Sequence, residues 1–436
     1  MLEALIGFVG LFALVLLRVP IAVAMIIVGT AGFAALRNWN AALNLLGNAA
    51  FDTGLSFTLS VIPLFILMGN LLTISGVSQS LFSTAHRLLH RMRGGLAMAT
   101  IVACGGFSAV CGSSLATAAT MSKVAMPSMR KARYADSLAT GSIAAGGTLG
   151  ILIPPSVILI IYGLLTEADI GKLFIAGIIP GLLGILLYLA AVYVTVLVKP
   201  ELAPTERNED VPLESRDVFG VLAVVGLFAI IMVGIYGGFF TPTEAAGIGA
   251  ATALLIALVS GGLTFEKLFT AGLNCARTTA MIFAIIIGAE VFSNFISYAG
   301  VPDALLTFVQ SLDVNAYVVM LVLVLIYIVL GAVLESLSMI LLTVPVFFPL
   351  VTSLDFGTGL LSDPELVLIW FGIIVVVVTE ISLISPPIGL NVFVLRSVLT
   401  DVPLRTMFAG ILPFWAADIV RLALLIALPA LSLMLI

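Results

Sequence analysis

Two stretches decide the fold: LATGSIAAGGTLGILIPPS, residues Leu138–Ser156, and ISPPIGLNVFVL, residues Ile384–Leu395. Each is an apolar run interrupted by adjacent prolines, Pro154-Pro155 and Pro386-Pro387. Such a pair removes two backbone donors and disfavours helix just before it, so each run predicts a helix that stops and restarts. The surrounding sequence says where the breaks sit. Of the 436 residues, 61% are hydrophobic and 9% charged, and the mean hydropathy is +1.27, values that no soluble surface tolerates. The chain is therefore predicted to be an all-α polytopic membrane protein in the lipid bilayer. A crossing needs about 20 apolar residues. Apolar runs lie at 2–17, 19–36, 41–73, 94–118, 137–165, 173–198, 218–238, 243–263, 268–298, 316–352, 366–395 and 407–436. Little chain is left for an extramembrane domain, and no basic patch for nucleic acid is present.

The two broken runs correspond, and so do their neighbourhoods. Pro20 matches Pro242, Ser114 matches Ser336 and Pro127 matches Pro349, all at a separation of 222 residues. Asn70 with Gly76-Val77 matches Asn294 with Gly300-Val301 at 224, and Pro154-Pro155 matches Pro386-Pro387 at 232. Lys172 with Ala176–Pro180 matches Arg405 with Ala409–Pro413 at 233. Six ordered matches with one ten-residue shift predict an internal duplication, with a first repeat over 1–198 and a second over 218–436. The charged stretch 199–217, containing Pro200, Pro204 and Pro212, reads as the cytoplasmic linker.

Charge predicts how the repeats are oriented. Arg87, Arg91 and Arg93 precede the run 94–118, and Lys123, Arg130, Lys131 and Arg133 follow its Gly112-Ser113-Ser114. Positive charge marks cytoplasmic flanks, so this segment, about 94–127, should enter and leave on one side as a re-entrant hairpin, followed by the broken helix 137–165. Its counterpart, about 316–352, lies in a stretch with no Lys or Arg but with Asp303, Asp313, Asp355, Asp363 and Glu365 near its ends, and precedes the broken helix 366–395. That hairpin should open to the other side. Five crossings plus one hairpin per half invert the second repeat, with the N-terminus outside. All 18 Lys and Arg then fall on the cytoplasmic side except Arg37 and Lys172, Arg277 within its helix, and Arg421 within the last span. The first run does not read as a cleaved signal, because Glu3 precedes it and Arg18-Val-Pro20 ends it.

Inverted repeats with a hairpin and a broken helix each are the architecture of a secondary transporter that binds its cargo near the midplane. Broken backbone at membrane depth must face protein or a wet cavity. Freed carbonyls can replace the water around Na+, while half-helix N-termini and hydroxyls can hold a carboxylate. The candidates are Ser108, Cys111, Gly112, Ser113, Ser114 and Thr117 with Gly147, Thr148, Gly150, Ile153 and Pro155. In the second half they are Glu335, Ser336, Ser338 and Thr343 with Ser382, Ser385, Pro387, Gly389 and Asn391. The alternative for the Gly-Ser-Ser cluster is close helix packing through small residues.

Other polar residues have simpler readings. Glu244 follows Thr241-Pro242-Thr243 and reads as a first-turn partner of the helix dipole. Asp136 sits beside the cationic cluster, while Glu335 and Glu380 stay open as neighbours of an ion site. Asp418 and Arg421 are spaced as an intrahelical ion pair, with a partner-facing role as the alternative. His86 and His90 lie among arginines and fit an interfacial amphipathic helix rather than a transition-metal pair. Cys104, Cys111 and Cys275 all lie in apolar sequence and indicate no disulfide framework.

Beyond these readings, the strings IPLFILMGNLL (62–72), RGGLAMATIVACGGFSAVCGSSLATAATM (93–121), GKLFIAGIIPG (171–181) and YGGFFTPTEAAGIGA (236–250), with the two quoted at the outset, resemble the large, DctM-like membrane subunit of tripartite ATP-independent periplasmic (TRAP) transporters. The resemblance covers nearly the whole chain. It implies Na+-driven import of an organic acid across the bacterial inner membrane by an elevator mechanism, with hairpins and broken helices moving against a scaffold. It also implies a periplasmic substrate-binding protein and a small four-helix membrane subunit as partners, and Na+ as the coupling ion with no organic cofactor. Carried over by motif, one Na+ site would use Ser108, Cys111, Gly150, Ile153 and Pro155, largely through carbonyls. A second would use Ser336, Ser382, Ser385 and Ile388. Substrate would sit between the tips, against Ser113, Ser114, Ser336, Ser338 and Asn391. Cys111 stands where the family often has Ser, a change a carbonyl ligand survives, and Ser385 where it often has Thr, a change that keeps the hydroxyl.

Two other readings compete. A stand-alone Na+/carboxylate symporter would share the architecture. An intramembrane enzyme is disfavoured, because the chain has only two His, no HExxH motif and no nucleophile beside a credible base. The inversion has a direct test. A cysteine at position 363 should react with an impermeant thiol reagent from the periplasm, and one at position 130 only from the cytoplasm; reaction of both from one side refutes it.

Overall fold

The structure, a computed structural model, describes residues 2–204, 214–312, 314–331, 334–357 and 359–436. Residues 205–213 of the expected linker, Pro212 included, and Asp313 lie outside the described residues. The first half comprises α1 (Leu2–Leu16), α2 (Ile21–Leu36), α3 (Trp39–Leu55), α4 (Val61–Ser75), α5 (Val77–Leu89), α6 (Gly95–Cys111), α7 (Ser114–Lys131), α8 (Asp136–Thr148), α9 (Val157–Thr166) and α10 (Ile170–Val198). The second comprises α11 (Ser215–Tyr236), α12 (Pro242–Val259), α13 (Phe265–Tyr298), α14 (Val301–Ser311), α15 (Ala316–Gly331), α16 (Ser336–Thr352), α17 (Pro364–Ile384), α18 (Leu390–Val398), α19 (Leu404–Ala427) and α20 (Ala430–Leu433). No strand occurs among the described residues. Among the described residues, seven helical segments are long and apolar enough to cross a membrane: Thr58–Ser75, α10, α11, α12, α13, α17 and α19.

Local sequence explains where helices start. The side chains of Asn38, Ser113, Ser156, Asp169, Thr264 and Asp363 each accept a hydrogen bond from a first-turn amide, satisfying donors that a helix leaves unpaired. Thr241 and Glu244 form a full capping box at α12, which is the first-turn role read for Glu244. At 34 residues α13 is about 51 Å long, longer than a hydrocarbon core, so tilt must accommodate it.

Two helical hairpins stand out. α6 and α7 meet at Gly112, whose φ of +62° suits glycine, and at extended Ser113. Their far ends are joined, since the Tyr134 hydroxyl reaches the Leu96 amide at 3.3 Å. α15 ends at Gly331 and α16 starts at Ser336, and the two share a base, where the Tyr317 and Phe356 rings lie 5.5 Å apart. The two bases lie at opposite ends of the molecule. At one end Arg130 bonds Asp136 at 3.1 Å and Asp401 at 2.5 Å, tying the first hairpin to the start of α8 and the end of α18. At the other, Lys172 bonds Glu365 at 2.6 Å, tying α10 to α17 beside the second hairpin's base, where Phe356 meets Trp370. Arg130 holds the Asp401 carboxyl below its ordinary value through that hydrogen bond. Exposed pairs of this kind are screened by solvent and mark geometry more than they supply stability.

Most helices pack in two groups. α2 lies on α13 and α4 on α12 and α13, while α6–α10 pack with α15–α19; α5 bridges the two, lying on α6 as well as on α11, and α4 also touches α6. α17 runs through the second group, with every residue from Ile369 to Ile384 buried. α8 and α19 touch backbone to backbone: a Cβ on Gly410 would lie 1.9 Å from the Ser137 carbonyl oxygen, so only glycine fits this crossing.

Some boundaries differ from the sequence reading. The run 41–73 is two helices, α3 and α4, separated by a short 3-10 turn at Thr58–Ser60. α5, expected as an interfacial amphipathic helix, buries Val77, Phe82 and Ala85 against α6 and α11. Asp418 and Arg421 do pair within α19 at 2.8 Å, but both are fully buried, so neither faces a partner subunit, and Arg421 also bonds Glu380 of α17.

Candidate functional site

The tips of both hairpins border one cavity of about 370 Å³. From the first hairpin come Cys111, Gly112, Ser113, Ser114, Leu115 and Ala116; from the second come Glu335, Ser336 and Leu337. Ile151, Val157 and Ile158 add the first helix break, and Leu383 adds the second. The other group of helices closes the space with Ile66 and Asn70 of α4 and Thr278, Met281 and Ile282 of α13. Asn70 also donates to the Ala271 carbonyl at 3.3 Å, tying α4 to α13. None of these α4 and α13 residues was singled out as a ligand from sequence. Asn70 had a signal, its repeat partner Asn294, and Asn294 lines a separate cavity of about 670 Å³ that also carries Asp52, Glu290 and Asp303.

Around the first break the sequence-predicted residues converge. α8 ends at Thr148, a 3-10 turn follows at Leu149–Ile151, and α9 restarts after Ser156. Ser156 closes the gap: its hydroxyl donates to the Ile151 carbonyl and accepts from the Leu159 amide at 3.2 Å. A Cβ placed on Gly150 would lie 3.2 Å from Ser108 Oγ and 3.3 Å from the Ser113 carbonyl oxygen, and one on Gly112 would lie 3.4 Å from the Pro155 carbonyl oxygen. Hydroxyl and carbonyl oxygens thus crowd together from α6, the hairpin tip and the break. Ser108 is fully buried, and its Oγ has no hydrogen-bond partner. The Thr117 hydroxyl is in the same condition. Ile153, by contrast, turns its side chain toward Gly105 and Gly181, leaving only its backbone for the break.

The second break is built differently. α17 ends at Ile384, and α18 starts after Gly389, whose φ is +57°. Ser382 donates to the Thr379 carbonyl at 2.7 Å and sits against Gly331 at the end of α15. Ser385 donates to the Ile381 carbonyl at 2.7 Å and accepts from Trp415 Nε1 at 2.9 Å, so its proton and one lone pair are already engaged. Ile388 lies within the break, half-buried. Ser338 is buried beside Glu335, its Oγ 3.4 Å from Oε2, and Thr343 bonds Tyr327 at 2.8 Å. Neither lines the cavity between the tips. Nor does Asn391: it is fully buried and donates to the Ala144 carbonyl at 3.1 Å, pinning α18 to α8.

This geometry can now be set beside known proteins. The family model for the DctM component of the tripartite ATP-independent periplasmic transporter matches residues 8–431. The chain belongs to this family. Among TRAP relatives, the C4-dicarboxylate large permease protein DctM of Pseudomonas aeruginosa is 35% identical over 88% of this chain and 87% of its own. The sialic acid large permease protein SiaM of Vibrio cholerae is 32% identical over 87% and 86%. Among solved structures, the YdaH transporter of Alcanivorax borkumensis superposes with a TM-score of 0.56 at 18% identity, covering 88% of each chain, a likeness of fold alone. As a TRAP permease the chain is a multi-pass protein of the inner membrane, a transporter subunit rather than an enzyme.

The two serines should respond differently to truncation. Ser108→Ala removes a buried hydroxyl without a protein partner and should leave thermal stability in detergent unchanged or slightly raised. Ser385→Ala strands the Trp415 indole N–H and should cost about 1–3 kcal/mol. Equal losses in melting temperature for both would contradict these hydrogen-bond assignments.

Proposed function

We propose that this chain is the Na+-coupled permease subunit of an organic-acid importer. The observation that carries the proposal is that two oppositely based hairpin tips meet at one cavity, against two helix breaks. An inverted duplication accounts for that arrangement. A volume of about 370 Å³ lies in the range of small-molecule sites and suits a compact organic acid. Ser113 and Ser114 at the start of α7, with Ser336 at the start of α16, supply hydroxyls beside two helix N-termini, where a carboxylate is favoured. Asn391 and Ser338 support these walls from behind. The relatives' names run from a C4-dicarboxylate and sialic acid to isethionate, a sulfonate, which supports an organic acid as the cargo without indicating a single compound.

For Na+, the first break offers the better-formed environment: the Ser108 hydroxyl with carbonyls near Gly112, Gly150 and Pro155, and Cys111 through its backbone. Second-site ligands would come from Ser336, Ser382 and the carbonyls around Ser385 and Ile388. Since the Ser385 hydroxyl already has two partners, the Ser382 hydroxyl is the freer side-chain donor of lone pairs. The group α6–α10 with α15–α19 forms the moving element of an elevator, and α1–α5 with α11–α14 its scaffold. A tripartite system supplies two further components, which we assign as a small four-helix membrane subunit and a soluble periplasmic binding protein.

Reconstitution tests the reading. Uptake into proteoliposomes should require an inward Na+ gradient, the small subunit and the cognate binding protein. Equal uptake under a proton gradient without Na+ overturns the coupling, and equal uptake by the purified chain alone favours a stand-alone symporter. In the same assay Ser108→Ala should raise the Na+ concentration for half-maximal uptake roughly tenfold, the lower end expected for losing one contact to a charged group. An activation curve overlaying the parent's removes Ser108 from the site.

A further inference from the structure

Between the two breaks lies a charged cluster that the proposed transport cycle does not use. Arg421 of α19 donates a hydrogen bond to Glu380 of α17, and its Nη2 also forms an ion pair with Asp418 Oδ1 at 2.8 Å. Asp418 Oδ2 accepts from the Tyr188 hydroxyl of α10 at 2.7 Å, and that hydroxyl lies 3.1 Å from Thr148 Oγ1 of α8. Glu380, Asp418, Arg421, Tyr188 and Thr148 are all fully buried. Room is made for them, since a Cβ on Gly184 would lie 2.3 Å from Arg421 Nη1. Oε1 of Glu380 accepts no hydrogen bond from the protein.

Two features set this cluster apart from an ordinary structural ion pair. First, it reaches toward both breaks: Thr148 is the last residue of α8, two before Gly150, and Glu380 is five before Ser385, where the second break begins. Second, it holds two carboxylates against one guanidinium. An excess buried charge in a membrane protein is costly unless something of opposite sign lies close by. Along α17, Glu380 and Ser385 are separated by about 7.5 Å of helix rise, close enough for a charge in the protein interior to act on an ion at the break.

We propose that Glu380, Asp418 and Arg421 are positioning residues for coupling. Together they hold one net negative charge between the helix breaks, and that charge raises the affinity of both breaks for Na+. The inference rests on the Na+-coupled reading above and adds to it the source of the attraction. Neutral carbonyls and hydroxyls solvate the ion, while the buried excess carboxylate supplies its counter-charge from behind. Arg421 prevents a second uncompensated charge and locks α17 to α19.

The experiment is Na+ activation of uptake by the reconstituted complex. Glu380→Gln keeps the shape and removes the charge, and it should raise the half-saturating Na+ concentration about tenfold, the scale of one unit charge at about 10 Å in an effective dielectric of about 20. Glu380→Asp should return it to within about twofold to threefold of the parent. A purely structural role instead lowers the amount of folded protein and the maximal uptake while leaving half-saturation unchanged. That outcome overturns the proposal. If Glu380→Gln does not fold, Asp418→Asn carries the same charge change and the same expectation. A parent complex that shows no Na+ dependence sinks the coupling reading itself. A Na+-dependent parent with an unshifted variant sinks only this inference.

Discussion

Everything in this structure follows from the difficulty of ending a helix inside a membrane. Each freed carbonyl or amide costs several kcal/mol in hydrocarbon, so the breaks at 149–156 and 385–389 exist only because other parts of the chain come to meet them. At the first break the Ser156 side chain takes two of the loose groups, and the tip of the first hairpin brings further oxygens to within contact distance of Gly150. At the second, Trp415 and the Ile381 carbonyl hold Ser385. The first hairpin and α19 are thus partners that make the broken helices tolerable.

That mutual dependence explains why the hairpins and broken helices pack as one group around α17. α8 and α19 cross with glycine at the contact, Asn391 ties α18 to α8, and Arg421 joins α19 to α17. Removing one partner from a buried pair such as Arg421–Glu380 costs about 3–5 kcal/mol, several times the worth of the exposed pairs at Arg130 and Lys172. The rigid part of the molecule is therefore its interior, and the cavity lies where that interior meets α4 and α13.

How much of this was legible in the sequence depends on the range of each interaction. Pro-Pro pairs and Gly112-Ser113 act on their own backbone, and the helices end within a few residues of them. The split between α3 and α4 carries only Asp52, Gly54, Ser56, Thr58 and Ser60 as its signal, scattered among apolar residues, and the sequence there has no proline until Pro63, within α4. Asn70, Thr278 and Met281 reach the cavity from elements far apart in sequence, so no spacing rule could have gathered them. Arg421 shows the same limit: helical spacing exposed its neighbour Asp418 but not Glu380, 41 residues away. Asn391 was drawn toward the cavity by its place beside the second break, yet the turn at Gly389 directs it against α8.

The central claim is that the two tips enclose the cargo and that Na+ helps to close them on it. Cys111 lines that cavity and can report on it once Cys104 and Cys275 are replaced by alanine. The decisive measurement is the rate at which a small maleimide alkylates Cys111 in the assembled complex, with and without Na+ and substrate. The account predicts that substrate slows alkylation strongly in Na+ and weakly in K+. An alkylation rate indifferent to both would contradict it.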